Sequence, residues 1–259
     1  VQTCALPISG RSRYLLRTGI FISGQLRKQN VRSRKQKGEV CCMEIIVTTL
    51  EIIGAIAFAV SGALVGIRKN MDVFGVCVLG LSTAVGGGVI RDLILGETPP
   101  AMFTNPIYAI AGLATCLFIL IPEIRTMVER SEFVLLLADA VGLGIFTASG
   151  TMHALETADA NAFLAVFVGV VTGVGGGLLR DVMASVPPYI FTKHVYAVAS
   201  IAGGILLCVI YPYVDKYIGL FITSAFVVVL RLLASRFRWE IPKAEDVSLH
   251  HTKNHSGKE

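Results

Sequence analysis

Two stretches place polar chemistry inside an otherwise apolar chain: Gly86-Gly87-Gly88-Val89-Ile90-Arg91-Asp92 and Gly175-Gly176-Gly177-Leu178-Leu179-Arg180-Asp181. Three consecutive glycines within a helix cost roughly 1 kcal/mol each relative to alanine. A helix loosened in this way frees carbonyl oxygens, which inside a bilayer must be met by protein or by water. The chemistry this suits is the guidance of a small polar solute along a kinked, cavity-lining pair of helices. Close helix packing through small residues is the competing use, and Gly62-x-x-x-Gly66 and Gly173-x-x-x-Gly177 have that spacing. A phosphate-binding loop is excluded, because it needs a preceding strand and an acid about 20 residues further on, whereas each run here lies within an apolar segment.

One turn beyond each glycine run stands an Arg-Asp pair, Arg91-Asp92 and Arg180-Asp181. With the second span centred near Ala84, Arg91 lies about 10 Å from the midplane at about 1.5 Å per residue. Charges at that depth pair or snorkel. The same arithmetic puts Glu51, near the start of the first span, level with Arg91, and Asp139 level with Arg180. Glu51–Arg91 and Asp139–Arg180 are therefore expected to be close, as charged gates at the two mouths or as structural pairs. Ser61, Thr83, Ser149 and Thr172 bring small hydroxyls into the spans. They can offer oxygens to a permeating ion or bond back to their own helices.

Other chemistries find no support. His153, His194, His250, His251 and His255 show no ligand spacing with cysteines or acids, so no metal site is expected. Cys77, Cys116 and Cys208 lie singly in apolar runs and read as packing residues. No Ser-His-Asp, Cys-His or metalloprotease pattern can be assembled. No enzymatic activity and no cofactor are expected.

The elements that must carry these residues are membrane helices. Of 259 residues, 54% are hydrophobic and 16% charged, against about 25% charged in a soluble domain. The apolar residues gather into runs near the ~20 residues that cross a ~30 Å hydrocarbon core. Seven spans are predicted, at 45–67, 73–95, 106–122, 133–155, 161–184, 195–212 and 217–237. Residues 1–42 differ: they hold nine basic residues and one acid, and without them the net charge falls from +5 to about −3. The basic excess thus belongs to this leader and implies no nucleic-acid partner. Met43 precedes the first apolar run, and 1–42 is read as a non-native or disordered leader. Residues 240–259 form a polar tail expected to be disordered.

Gly86–Asp92 is repeated at Gly175–Asp181, Pro99-Pro100 at Pro187-Pro188, Tyr108-Ala109 at Tyr196-Ala197, and Ser61-Gly62 at Ser149-Gly150. Glu51 corresponds to Asp139. The offset stays at 88 or 89, which marks an internal duplication. Each copy holds three helices, residues 43–125 and 131–214, and an odd number inverts the second copy across the membrane. A seventh helix, 215–239, stands outside the repeat. The expected fold is an all-α integral membrane protein with two inverted three-helix repeats and a seventh helix. Lys and Arg concentrate in alternate loops (Arg68 and Lys69, Arg125 and Arg130, Lys193, and the C-terminal Arg236, Arg238 and Lys243), against Lys216 alone on the other side. Basic loops favour the cytoplasm, which places the C-terminus inside and the start of the first span outside.

The motif Ser-Gly … Gly-Gly-Gly-x-x-Arg-Asp … Pro-Pro-x-x-Phe, duplicated over residues 45–237, resembles the bacterial membrane family of paired glycine transporter domains, which is related to the trimeric intracellular cation (TRIC) channels. The resemblance implies a homotrimer in the bacterial inner membrane with one pore per protomer. It implies a pore along the second and fifth spans, kinked at Gly86–Gly88 and Gly175–Gly177, and passive conduction of monovalent cations, chiefly potassium. Some members are instead assigned to glycine transport. The Lys-Glu-Val signature of animal channels has no counterpart here, so animal-type gating is not implied. Three functions follow: a TRIC-like cation channel, a carrier of glycine or another small amino acid, or a non-conducting membrane scaffold.

Overall fold

The computed structural model describes residues 45–129, 131–157, 161–192 and 195–237. The leader 1–42, Arg130, Lys193, His194, Arg238, Lys243 and the tail 240–259 with its three histidines lie outside the described residues. Those described are helical: α1 (Ile45–Arg68), α2 (Val73–Leu95), α3 (Ala101–Thr104), α4 (Ile107–Ile119), α5 (Pro122–Glu129), α6 (Glu132–Thr157), α7 (Ala162–Met183), α8 (Tyr189–Thr192), α9 (Val195–Ile210) and α10 (Lys216–Arg236). Helix is what a long apolar run must form where no water can satisfy its backbone. The starts are set by polar caps. Asp72 accepts a hydrogen bond from the Gly75 N–H at 2.7 Å, Asn161 from Leu164 at 2.8 Å and Asp215 from Tyr217 at 3.0 Å, each satisfying an orphan donor of a first turn.

α1, α2, α6, α7 and α10 are long and apolar enough to cross a membrane. The chain is thus an all-helical membrane protein with five long apolar spans. The predicted spans 106–122 and 195–212 hold shorter helices. α4 has 13 residues and α9 has 16, about 20 and 24 Å at 1.5 Å per residue. α4 ends at Ile119, short of the predicted boundary at 122, where Pro122 starts α5. Pro99-Pro100 and Pro187-Pro188 lead into separate one-turn helices, α3 and α8, which precede α4 and α9.

α7 packs most closely on α6 and α2, and α10 on α6. Residues 47–237, where described, belong to one compact unit. Its core mixes alanines with larger apolar side chains. Ala55, Ala59 and Ala63 bury one face of α1, and Phe58 stacks on Phe146 of α6 with ring centroids 5.4 Å apart. Large apolar residues such as Phe74, Phe133 and Phe163 lie exposed on the outside. In water such a surface would be a liability; in lipid it is the solvated face.

Candidate functional site

α2 and α7 cross at their glycines. A Cβ placed on Gly87 would collide with the Thr172 carbonyl oxygen, and one on Gly176 with the Thr83 carbonyl oxygen. Gly175 lies against Gly87, and Gly86 faces Leu179. Both helices stay helical through their glycine runs. Gly87 and Gly176 let the two backbones approach closely. Gly88 differs: nothing lies within 4 Å of its would-be Cβ. Gly177 faces the Tyr196 hydroxyl and the Asp139 carboxylate.

The hydroxyls divide. Thr83 and Thr172 donate to the carbonyls of Leu79 and Val168, each at 2.6 Å and four residues earlier. This is the back-bonding use. Their side chains also sit where Gly62 and Gly150 lack a Cβ, which repeats one helix–helix contact in both copies. Ser61 instead accepts a hydrogen bond from Arg180 across the duplication. Ser149, its counterpart, is buried with no partner for its oxygen among the described residues.

The charged residues form two related clusters. In the first copy, Arg91 Nη1 meets Glu51 at 3.2 Å and Arg91 Nε meets Asp92 at 2.8 Å. The other Asp92 oxygen accepts the Ala101 N–H at 2.8 Å. In the second copy, Arg180 meets Asp139 at 2.6 Å and Asp181 at 2.8 Å, and Asp181 accepts the Tyr189 N–H at 2.9 Å. Depth arithmetic thus places the right partners together. The aspartates have a further duty that the spacing did not reveal. Each caps the one-turn helix after a Pro pair, whose first N–H groups have no helical partner.

One methylene separates the two clusters. Glu51 reaches Tyr108, whose hydroxyl donates to it at 2.9 Å. Asp139 is shorter, and its second oxygen and the hydroxyl of Tyr196, the counterpart of Tyr108, are both buried without a partner among the described residues. Arg180 is sealed at 0% exposure, with its guanidinium 5.1 Å from the Tyr189 ring centroid. Arg91 instead lines a small open pocket of about 40 Å³, shared with Glu51, Gly88, Asp92, Tyr108 and Phe146. Charge differs too. Glu51, Arg91 and Asp92 sum to −1. The second cluster has the same sum but gains buried Arg231 of α10, 5.0 Å from the Tyr196 ring centroid.

Sequence reasoning missed Arg231, Tyr108 and Tyr196. Arg231 was findable as a charge inside the last apolar run. The tyrosines carried a signal only as repeat-matched positions. It also expected no metal site, yet the fold brings Asp92, Glu97 and His153 together, their ligand atoms within 4.8 Å of one another.

Comparison with known proteins shows the family and the fold. The glycine transporter domain matches the chain twice, over residues 48–122 and 136–212. The UPF0126 inner membrane protein YadS of Escherichia coli is 36% identical over 197 residues, 76% of this chain and 94% of YadS. Among solved structures, a TRIC cation channel studied for its conductance is 36% identical with a TM-score of 0.69, over 76% of this chain and 96% of that one. The TRIC orthologue of Rhodobacter sphaeroides is 32% identical with a TM-score of 0.69, over 75% and 99%. The chain belongs to the UPF0126 family of paired glycine transporter domains, and its fold is that of the prokaryotic TRIC channels.

Proposed function

We propose that this protein is a TRIC-like channel that passes monovalent cations, chiefly potassium, through a pore in each protomer of a homotrimer. The observation that carries the reading is the pocket beside α2. It opens next to Gly88 and is lined by Glu51 and Asp92, an excess of carboxylate over the single Arg91. A cation entering a low-dielectric cleft is favoured by such a lining. The likeness to TRIC channels at 36% and 32% identity supports the same reading.

In this proposal all seven apolar segments cross the membrane, α3–α4 and α8–α9 each acting as one span. Residues 43–125 and 131–214 are inverted repeats, and 215–239 is the added helix. The α1 start faces outward in the bacterial inner membrane, and the basic loops with the C-terminus face the cytoplasm. Gly88, with Glu51 and Arg91, lines the outer part of the path. Its inner part, at Gly177, Asp139, Ser149 and Arg180, is closed here and must open for an ion to reach the oxygens of Asp139 and Ser149. Gly86, Gly87, Gly175 and Gly176, with Thr83 and Thr172, hold the two helices in register. Asp92 and Asp181 fix the mouths.

The carrier reading is weaker. A carrier that grips a carboxylate typically offers it the N-terminus of a broken helix, whereas α2 and α7 run unbroken. The deciding experiment reconstitutes the full chain in liposomes and follows potassium and labelled glycine side by side. Voltage-dependent potassium flux is expected. Saturable glycine uptake without potassium current would replace the channel with the carrier, and silence for both would favour the scaffold.

A further inference from the structure

Asp92, Glu97 and His153 converge at the end of the bundle where α2 and α6 both finish. His153 Nε2 lies 2.9 Å from Glu97 Oε2. All three side chains can place a ligand atom within 4.8 Å of the others. The site is built from the backbone up. Gly96 takes a left-handed turn (φ 76) at the end of α2, and the Glu97 N–H then bonds back to the Asp92 carbonyl at 2.8 Å. That bond fixes Glu97 relative to Asp92. His153, one turn before the end of α6, closes the site from the opposite helix. The side chains of His153 and Glu97 are 34% and 35% exposed, whereas Asp92 is buried and forms the floor.

The duplication supplies a control. In the second copy, Ser185 takes the left-handed turn (φ 49) and the Val186 N–H bonds to the Asp181 carbonyl at 3.0 Å. Val186 therefore stands where Glu97 stands, and Val65 corresponds to His153 at the 88-residue offset. Asp181, Val186 and Val65 do line one pocket together, with Arg68 and Lys69 beside them. The backbone scaffold and its capping aspartate thus need neither an imidazole nor a second carboxylate. Both appear at one mouth only, and on two different elements that meet there.

We propose that Asp92, Glu97 and His153 bind one divalent transition-metal ion, of the chemistry of zinc, and so tie the α2–α3 turn to α6. One imidazole nitrogen and two carboxylate oxygens, with a water-facing fourth position, is a ligand set that zinc accepts, and the imidazole favours such ions over magnesium or calcium. Charge agrees. Glu51, Arg91, Asp92 and Glu97 sum to −2, matching the ion. The Ala101 N–H and Arg91 Nε hold the Asp92 carboxylate in place, as donors behind a ligating carboxylate do. This proposal does not rest on the transport reading.

The test is zinc binding by calorimetry to the full chain, purified in detergent, with His250, His251 and His255 replaced by Gln so that the tail contributes nothing. One ion per protomer is expected, with affinity weakened by more than about tenfold in His153→Gln and in Glu97→Gln. Both side chains are a third exposed, so both variants should fold. Thermal melts supply a second reading: zinc should raise Tm in the parent and not in either variant, since an ion that binds only the folded state stabilises it. Absence of stoichiometric binding in the parent, or binding unchanged in both variants, would overturn the site.

Discussion

Gly87 of α2 lies against the Thr172 carbonyl of α7, and Gly176 of α7 lies against the Thr83 carbonyl of α2. The two contacts are one contact seen from both copies of the duplication. They define where the two central helices touch, and they leave no room for a methyl group.

Gly87→Ala and Gly176→Ala should therefore each destabilise the fold, by about 1–3 kcal/mol as overpacking does. Gly88→Ala should be neutral or stabilising, since alanine is favoured over glycine in a helix by about 1 kcal/mol and nothing lies within 4 Å. Thermal melts of the three variants check this. Equal Tm losses at all three positions would contradict it.

Gly88 is also the residue with which to probe the path. Gly88→Leu should lower potassium flux in liposomes while changing Tm little, because its side chain would grow into the pocket beside Glu51 and Arg91. Unaltered flux in a folded Gly88→Leu variant would move the path elsewhere.

The two acid–arginine pairs should differ in cost. Asp139→Ala leaves Arg180 with Asp181 as its one carboxylate in a sealed site, and breaking such a buried pair costs about 3–5 kcal/mol. Glu51→Ala should cost clearly less, because Arg91, which likewise keeps its neighbouring aspartate, borders an open pocket where water can replace the lost carboxylate. Denaturation midpoints in a fixed detergent compare them directly.

The tyrosines offer the finest distinction. Tyr108→Phe loses a 2.9 Å hydrogen bond to Glu51 and should cost about 1 kcal/mol. Tyr196→Phe removes a hydroxyl that is buried without a partner among the described residues, and should be neutral or stabilising. A larger loss at Tyr196 than at Tyr108 would mean that this hydroxyl is engaged.

Much of this was legible before any coordinates. The apolar runs marked the helices because span length is a property of the bilayer, and the duplication followed from Gly-Gly-Gly-x-x-Arg-Asp occurring twice. Glu51–Arg91 and Asp139–Arg180 were reachable from depth alone. The glycine runs were not. Successive residues of a helix point about 100° apart, so adjacent glycines look in different directions, and only packing decides that Gly87 meets a carbonyl while Gly88 meets open space. Asp92, Glu97 and His153 were invisible for another reason: His153 belongs to the second copy, and no local spacing joins it to a turn in the first.

If the two copies face opposite sides, the carbon by which Glu51 exceeds Asp139, together with Arg231, leaves the conduit with unlike ends. A strictly two-fold conduit would carry the same flow whichever way it was driven. Here one end holds its carboxylate on an open pocket, while the other folds its shorter acid around a sealed arginine. Under the channel reading such a conduit is a rectifier, and its current–voltage curve should bend at zero potential even in identical solutions on both sides.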